Sequence, residues 1–450
     1  MVKDASLDSQ STVVWNTLMK CAIIARRFTL SFELFIDMKR RGFKANIRTY
    51  FTLLSGWAKA EHREITPRQL ERAKTVFGEY IDYMAAVKAK DPASPELGNK
   101  PVNEYLSILN RARLYQTMFD VFYGMEKSGP LAPDQFTFTV MINAIGSRKA
   151  LHAGGETPPE GGESDVHAQN ASDVRFLWKQ LVKASQRCGF PIDSHVITGT
   201  IFALAKGTSI DRTLAISIIH DYLGLSQPGE STINATVPLS KQLLTSILTL
   251  CNSTQQPRLT LHYAQRIMDS PQREVLQRTH LNEVLRAYSF LSTPDNPTEA
   301  AKLWKRLEWM VRQEVMEGSS RAVLRPDLES YNLALLACWR SAAWSTACRV
   351  FEMMSGYSML DFEKPARKAG TRSASTSRSR SRIILPDAES MSTLARTALT
   401  QRAPDTIRQC LRIIAHLGPD HFFIPLDGLY AEKVLIIMTS PKSPLCLARR

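Results

Sequence analysis

The 450-residue chain contains no uninterrupted apolar run of about 18 residues, the length a bilayer-spanning helix requires. It also lacks a C-x-x-C pair, an H-E-x-x-H helix motif and a G-x-x-x-x-G-K-[ST] phosphate loop. The seven cysteines are an odd, scattered set: Cys21, Cys188, Cys251, Cys338, Cys348, Cys410 and Cys446. That pattern fits a reducing compartment in which most thiols serve as small apolar core residues. Nine histidines are dispersed, none at metal-ligand spacing from a cysteine pair. No catalysis, cofactor or metal is therefore expected. Negative charge is the scarcer sign, with 43 acidic against 57 basic residues, a net charge of +14 and a pI near 9.5. So basic a surface suits a polyanionic partner, and without a membrane span nucleic acid fits better than lipid. Hydrophobic residues at 44% and charged residues at 22% argue for a folded chain. Sustained period-two alternation is missing, so no sheet is expected. Met1–Gln10 has neither an apolar signal core nor an Arg-rich amphipathic stretch, and a foldable segment begins at Thr12. The expectation is a true start upstream of Met1.

What is present is repetition. Val13-Val14-Trp15-Asn16-Thr17-Leu18-Met19 parallels Arg48-Thr49-Tyr50-Phe51-Thr52-Leu53-Leu54, with Trp15 and Tyr50 35 residues apart. Phe136–Ile142 and Ser330–Leu336 repeat the pattern. Sixteen residues after the aromatic comes a second landmark, Ser31–Met38 after Trp15 and Ala347–Met354 after Tyr331; Met118–Met125 follows Val102 at the same spacing. Both halves carry apolar residues at helical spacing, so each unit reads as two helices. Lys39-Arg40-Arg41-Gly42, Glu126-Lys127-Ser128-Gly129 and Gln186-Arg187-Cys188-Gly189 place cations in a last turn and glycine just past it. Pro133-Asp134, Pro326-Asp327 and Pro386-Asp387 then supply aspartates able to cap the next helix. The pairs at Asp193–Gly224 and Ser240–Ser270 have a less defined phase, and Leu281-Asn282-Glu283 resembles Val102-Asn103-Glu104. About nine units are expected.

The layout follows. Residues 1–11 form an extension and 12–150 hold units one to three and the start of the fourth. Residues 151–170 are an insertion with four acidic residues and no Lys or Arg, expected as a disordered loop between two helices of one unit. Residues 171–360 complete units four to eight. Residues 361–382 form a Ser/Arg-rich insertion of net charge +5, also expected to be disordered, and 383–450 hold a last unit and a cap around Phe422–Met438.

Tyr331-Asn332 with Ala347-x-x-Val350-Phe351-x-x-Met354, Gly42-x-x-x-Asn46 and the Pro-Asp unit ends resembles the pentatricopeptide repeat (PPR) family. The likeness is to its P-type form, in a fungal-like or animal-like mitochondrial member. It spans Thr12 to Leu417 in period and is sharp in the first, third, fourth and eighth units. Tetratricopeptide repeats share the length but carry a Trp, Leu-Gly and Tyr pattern absent here. The resemblance implies an all-α, right-handed superhelical α-solenoid whose first helices line a basic groove, one RNA base per unit. Two residues per unit then read the base: Asn16 with Asn46, Asn103 with Asp134, Thr139 with Asp193, and Asn332 with Asp387. By the same resemblance, Asn with Asp suits uracil, Thr with Asp guanine, and Asn with Asn a pyrimidine. Phe51 departs from the pattern in the second unit, and insertions separate Thr139 from Asp193 and Asn332 from Asp387. The deaminase-like tail of some members, with H-x-E and P-C-x-x-C together, is missing.

Asparagine is a mediocre helix former, so its recurrence at one helical slot asks for a reason. Its amide offers a donor and an acceptor, as a base edge requires, yet it could equally bond a neighbouring helix and seal the stack. Both readings stay open, as they do for the Ser/Arg run, an RNA contact or a solvated linker. Trp15, Tyr50, Phe138 and Tyr331 read as inter-helix core. The function expected is binding of single-stranded mitochondrial mRNA or rRNA in transcript maturation, stability or translation. The alternative is a structural subunit associated with the mitochondrial small ribosomal subunit.

Overall fold

The computed structural model describes residues 11–60, 65–149, 162–231, 233–296, 298–317, 324–362 and 383–417. Among them it forms eighteen α-helices in nine consecutive pairs and no strand; the one bridge is isolated, between Thr293 and Asn296. The first five pairs are α1 (Thr12–Ile24) with α2 (Phe28–Arg40), α3 (Ile47–Ala58) with α4 (Pro67–Lys90), α5 (Lys100–Arg111) with α6 (Tyr115–Tyr123), α7 (Gln135–Gly146) with α8 (Gly162–Cys188), and α9 (Ser194–Leu204) with α10 (Ser209–Leu223). The last four are α11 (Lys241–Ser253) with α12 (Pro257–Met268), α13 (Arg278–Leu291) with α14 (Thr298–Glu317), α15 (Leu328–Arg340) with α16 (Trp344–Ser355), and α17 (Ala388–Gln401) with α18 (Pro404–Leu417).

Local chemistry sets these boundaries. Asp134, Asp327 and Asp387 cap α7, α15 and α17 by accepting the backbone N–H of the third helical residue, and that residue's hydroxyl accepts the cap residue's own N–H. Two orphan donors are satisfied at each start. Gly42 and Gly189 adopt φ of +84° and +71° just past α2 and α8, the left-handed conformation that closes a helix at no steric cost. Glu126–Gly129 is not a helix end as expected, because α6 already stops at Tyr123. The tight turn inside a pair is different. Arg26, Arg113, Gln255, Ala342 and Arg402 hold φ between +52° and +58° there, with a Cβ in a region that penalises it. No glycine marks those turns, so the sequence gives no hint of them.

The chain divides into two bodies, residues 1–224 with 233–238, and 225–232 with 239–450. Within the first, α1, α3, α5, α7 and α9 pack in succession; within the second, α11, α13, α15 and α17 do. Within each body the even helices join their own pair to the next odd helix, as α2 does with α3 and α16 with α17. Each body is thus an α-solenoid of stacked pairs. In the first body aromatic pairs tie even helices to the next odd helix. Phe35 of α2 meets Tyr50 edge-on at 6.2 Å, Phe77 of α4 stacks on Tyr105 at 4.0 Å, and Phe122 of α6 meets Phe138 at 5.4 Å. Each such contact adds about 0.5–1.5 kcal/mol beyond area burial. Trp15, Tyr50, Phe138 and Tyr331 are buried. Small residues allow close approach: a Cβ added at Gly146 of α7 would lie 2.8 Å from that of Ala203 on α9. Cys251, Cys338 and Cys410 are buried, whereas Cys21 and Cys188 are exposed; Cys446 lies outside the described residues.

Both expected insertions are shorter than composition suggested. α8 begins at Gly162, so 162–170 is helix and not loop. Acidic residues suit the positive end of a helix dipole, and Asp165 sits in that first turn. At the Ser/Arg segment, Phe362 belongs to a 3-10 turn, Met359–Phe362, and its ring is buried against Tyr357 and His416. Its carbonyl accepts from Arg412 of α18 at 3.0 Å. Residues 1–10, 150–161, 363–382 and 418–450, including the expected cap, lie outside the described residues.

Candidate nucleic-acid interface

The four residues expected to close a unit all cap the next odd helix. Asn46 Oδ1 accepts from Thr49 N–H at 3.1 Å, Asp134 Oδ1 from Thr137 N–H at 2.8 Å, and Asp387 Oδ1 from Ser390 N–H at 2.8 Å. Asp193 Oδ1 accepts from His195 and Val196 N–H at 3.1 and 3.0 Å. Helix capping alone accounts for their side-chain type.

Two of the four expected pairs meet directly. Asn103 Nδ2 donates to Asp134 Oδ1 at 3.2 Å, while its Oδ1 accepts from the Thr137 hydroxyl at 2.7 Å. The carboxylate can only accept, which fixes the way the amide points. One N–H of Asn103 and the second carboxylate oxygen of Asp134 have no partner among the described residues. Asn332 and Asp387 are also brought together, at 3.4 Å, although 55 positions apart in sequence, and Ser390 donates to Asn332 Oδ1 at 2.5 Å. Thr139 and Asp193 share no bond; the Thr139 hydroxyl donates back to the Gln135 carbonyl at 2.7 Å.

Asn16 and Asn46 do not touch but line one cleft of about 840 Å³ between the first two pairs, with Lys20, Arg48, Phe51 and Thr52. Asn16 is only 6% exposed, and its Oδ1 is buried with no hydrogen-bond partner. A buried amide oxygen left so costs about 1–3 kcal/mol. Lys20 and Arg48 are exposed at its rim. Arg111 donates to the Trp57 and Ala58 carbonyls at 2.9 and 3.0 Å, placing a cation at the negative end of α3 on the same cleft.

This first repeat decides the likeness. Residues 10–59 match the PPR repeat family. The structure of the pentatricopeptide repeat protein PPR10 from maize is 14% identical over 98% of this chain, with a TM-score of 0.35. The structure of PPR10 in complex with an 18-nt psaJ RNA element is 15% identical over 91% of the chain, again with a TM-score of 0.35. The chain spans 58% and 56% of those two chains. No curated protein sequence matches it.

A third joined pair was not anticipated from the sequence. Asn282 of the seventh pair, 4% exposed, donates to Asp327 Oδ1 at 3.4 Å and accepts from the Ser330 hydroxyl at 2.6 Å. The signal was there, since Leu281-Asn282-Glu283 parallels Val102-Asn103-Glu104 and Asp327 already read as a cap. The other half of the device is the Thr or Ser three residues past the cap, whose hydroxyl holds the previous pair's asparagine. Burial pushes the Asp327 carboxyl up, but the Ser330 N–H and hydroxyl, Arg278 and Asn282 outweigh it and hold the pKa below the usual carboxylate value. The buried thiols are inert by contrast: burial lifts Cys251, Cys338 and Cys410 to about 12, and Cys348 likewise. Among the described residues no cluster of His, Cys, Asp or Glu is arranged to hold a metal, and no helix is long and apolar enough to cross a membrane.

Proposed function

We propose that this protein binds single-stranded RNA through the odd-numbered helices of its first pairs. The observation that carries the reading is the cleft between the first two pairs, lined by Asn16, Asn46 and Thr52 with the exposed cations Lys20 and Arg48 at its rim. The polar side chains of the cleft suit a base edge, and its cations suit a phosphate. Asn103 with Asp134 offers a second place, where one N–H and one carboxylate oxygen remain for a base. The net charge of +14 supports it. In this reading Thr139 with Asp193 contributes less, because the hydroxyl is already bonded to its own helix.

The test is titration of labelled RNA at several salt concentrations. Single-stranded RNA should bind more tightly than duplex, with a log–log salt slope of about −0.7 per phosphate neutralised. Lys20→Gln with Arg48→Gln should flatten that slope without altering helicity. Equal affinity for duplex, or affinity flat in salt, contradicts the reading. Deleting 364–382, which spares the packed Phe362, should weaken binding if the Ser/Arg run contacts RNA.

The finer assignment is to mitochondrial RNA maturation, stability or translation, tested by localising the tagged protein in cells. The satisfied asparagines of the seventh and eighth pairs favour a second reading, a structural role on the mitochondrial small ribosomal subunit. Co-sedimentation with ribosomal subunits separates the two.

A further inference from the structure

The residue two positions past each cap differs along the chain in a way that changes what the preceding asparagine can do. After Asn46 it is Arg48 and after Asp134 it is Phe136, which is 60% exposed; neither can accept from an amide. After Asp327 it is Glu329, and after Asp387 it is Glu389. Glu329 Oε2 accepts from Asn282 Nδ2 at 3.0 Å, and Glu389 Oε2 accepts from Asn332 Nδ2 at 3.4 Å. With Asp327 or Asp387 on the same nitrogen and a serine hydroxyl on the oxygen, both amides have partners for every polar atom.

The neighbouring cations are engaged as well. Arg286 pairs with Glu329 at 2.9 Å and lies 3.6 Å from Glu283, and Arg278 pairs with Asp327 at 2.8 Å. The two guanidiniums that could meet a phosphate at the seventh pair are matched by carboxylates, and those carboxylates would repel one.

We propose that Glu329 and Glu389 are specificity determinants that close the seventh and eighth pairs to RNA bases, so that Asn282 and Asn332 read nothing although their residue types match a base-reading pair. The inference rests on the RNA-binding reading above. It assigns base choice to pairs whose cap-plus-two residue is not a carboxylate, and removes Asn332 with Asp387 from the set the sequence suggested.

The test is selection of RNA from a random pool by the full chain and its variants, with circular dichroism confirming the fold of each. The wild-type motif should survive Asn282→Ala and Asn332→Ala unchanged. Glu329→Ala and Glu389→Ala should each add one selected position with at least about tenfold preference, the scale of one good base contact. Adding Asn282→Ala or Asn332→Ala should abolish the gain. Glu329→Gln and Glu389→Gln keep an acceptor for the amide and should add no position. A wild-type motif that changes with Asn332→Ala, or Glu→Ala variants that select what wild type selects, overturns the block alone. Equal gains from Gln and Ala also overturn it. A wild-type chain that enriches no sequence overturns the RNA reading, and the block with it.

Discussion

Asp134 does two things at once, and the two can be separated. It caps α7 through Thr137 N–H and receives the Asn103 amide from the preceding pair. Asp134→Ala removes the cap, worth about 1 kcal/mol. It also removes a charge-assisted hydrogen bond, about 1.5–3 kcal/mol in good geometry. At 3.2 Å and part-exposed, this one belongs at or below the lower end of that range. The Thr137 hydroxyl loses its 2.9 Å contact with Asp134 Oδ1 but is not left without an acceptor, since it keeps Asn103 Oδ1 at 2.7 Å. The total comes to about 2 kcal/mol for Asp134→Ala. Asp134→Asn retains an acceptor for the cap and should cost less than about 1 kcal/mol. Urea unfolding followed by far-UV circular dichroism, for wild type, Asp134→Ala, Asn103→Ala and the double variant, isolates the tie between pairs. The expected coupling is about 0.5–1.5 kcal/mol. Strict additivity would refute the bond, and with it the idea that cap and asparagine act as one device.

Two further outcomes follow from the same geometry. His280 is buried on α13, its Nδ1 accepting from Gln277 N–H at 2.9 Å and its Nε2 2.9 Å from the Lys241 carbonyl. Burial lowers its pKa below 6.5, so the folded state resists a proton that the unfolded chain accepts. Its contribution is whole above about pH 6.5 and is lost as pH falls toward the lower folded value; thermal melts should drop on acidification, and less so in His280→Gln. At the turn inside the eighth pair, Ala342 holds φ of +52°, so Ala342→Gly should stabilise by about 0.5–1 kcal/mol in the same unfolding assay.

The fold was legible because its punctuation is local. Asp134, Asp327 and Asp387 announce helix starts by side-chain chemistry acting within three residues, and Gly42 announces a stop by a conformation other residues avoid. The turns at Arg26 and Gln255 were invisible because packing imposes their left-handed backbone on residues that do not prefer it. The candidate site was legible in residue type and not in partnership. Asn282 escaped notice because the 20-residue α14 stretches its distance to Asp327 to 45 residues. Whether an asparagine oxygen goes without a partner, as Asn16 Oδ1 does, or is satisfied, as Asn282 Oδ1 is, depends on a side chain from the next pair. Residue spacing within one unit carries no information about that.

The central claim is that this chain recognises single-stranded RNA by base contacts from asparagines on its odd helices. Selection from a random RNA pool by wild type and Asn103→Thr, side by side, tests it most directly. The account predicts one position whose preference moves from uracil toward guanine, at a cost of about 1–3 kcal/mol for the original base, with the salt slope unchanged. Identical selected sequences, accompanied by a lowered melting temperature, would contradict it and show that Asn103 only seals the stack.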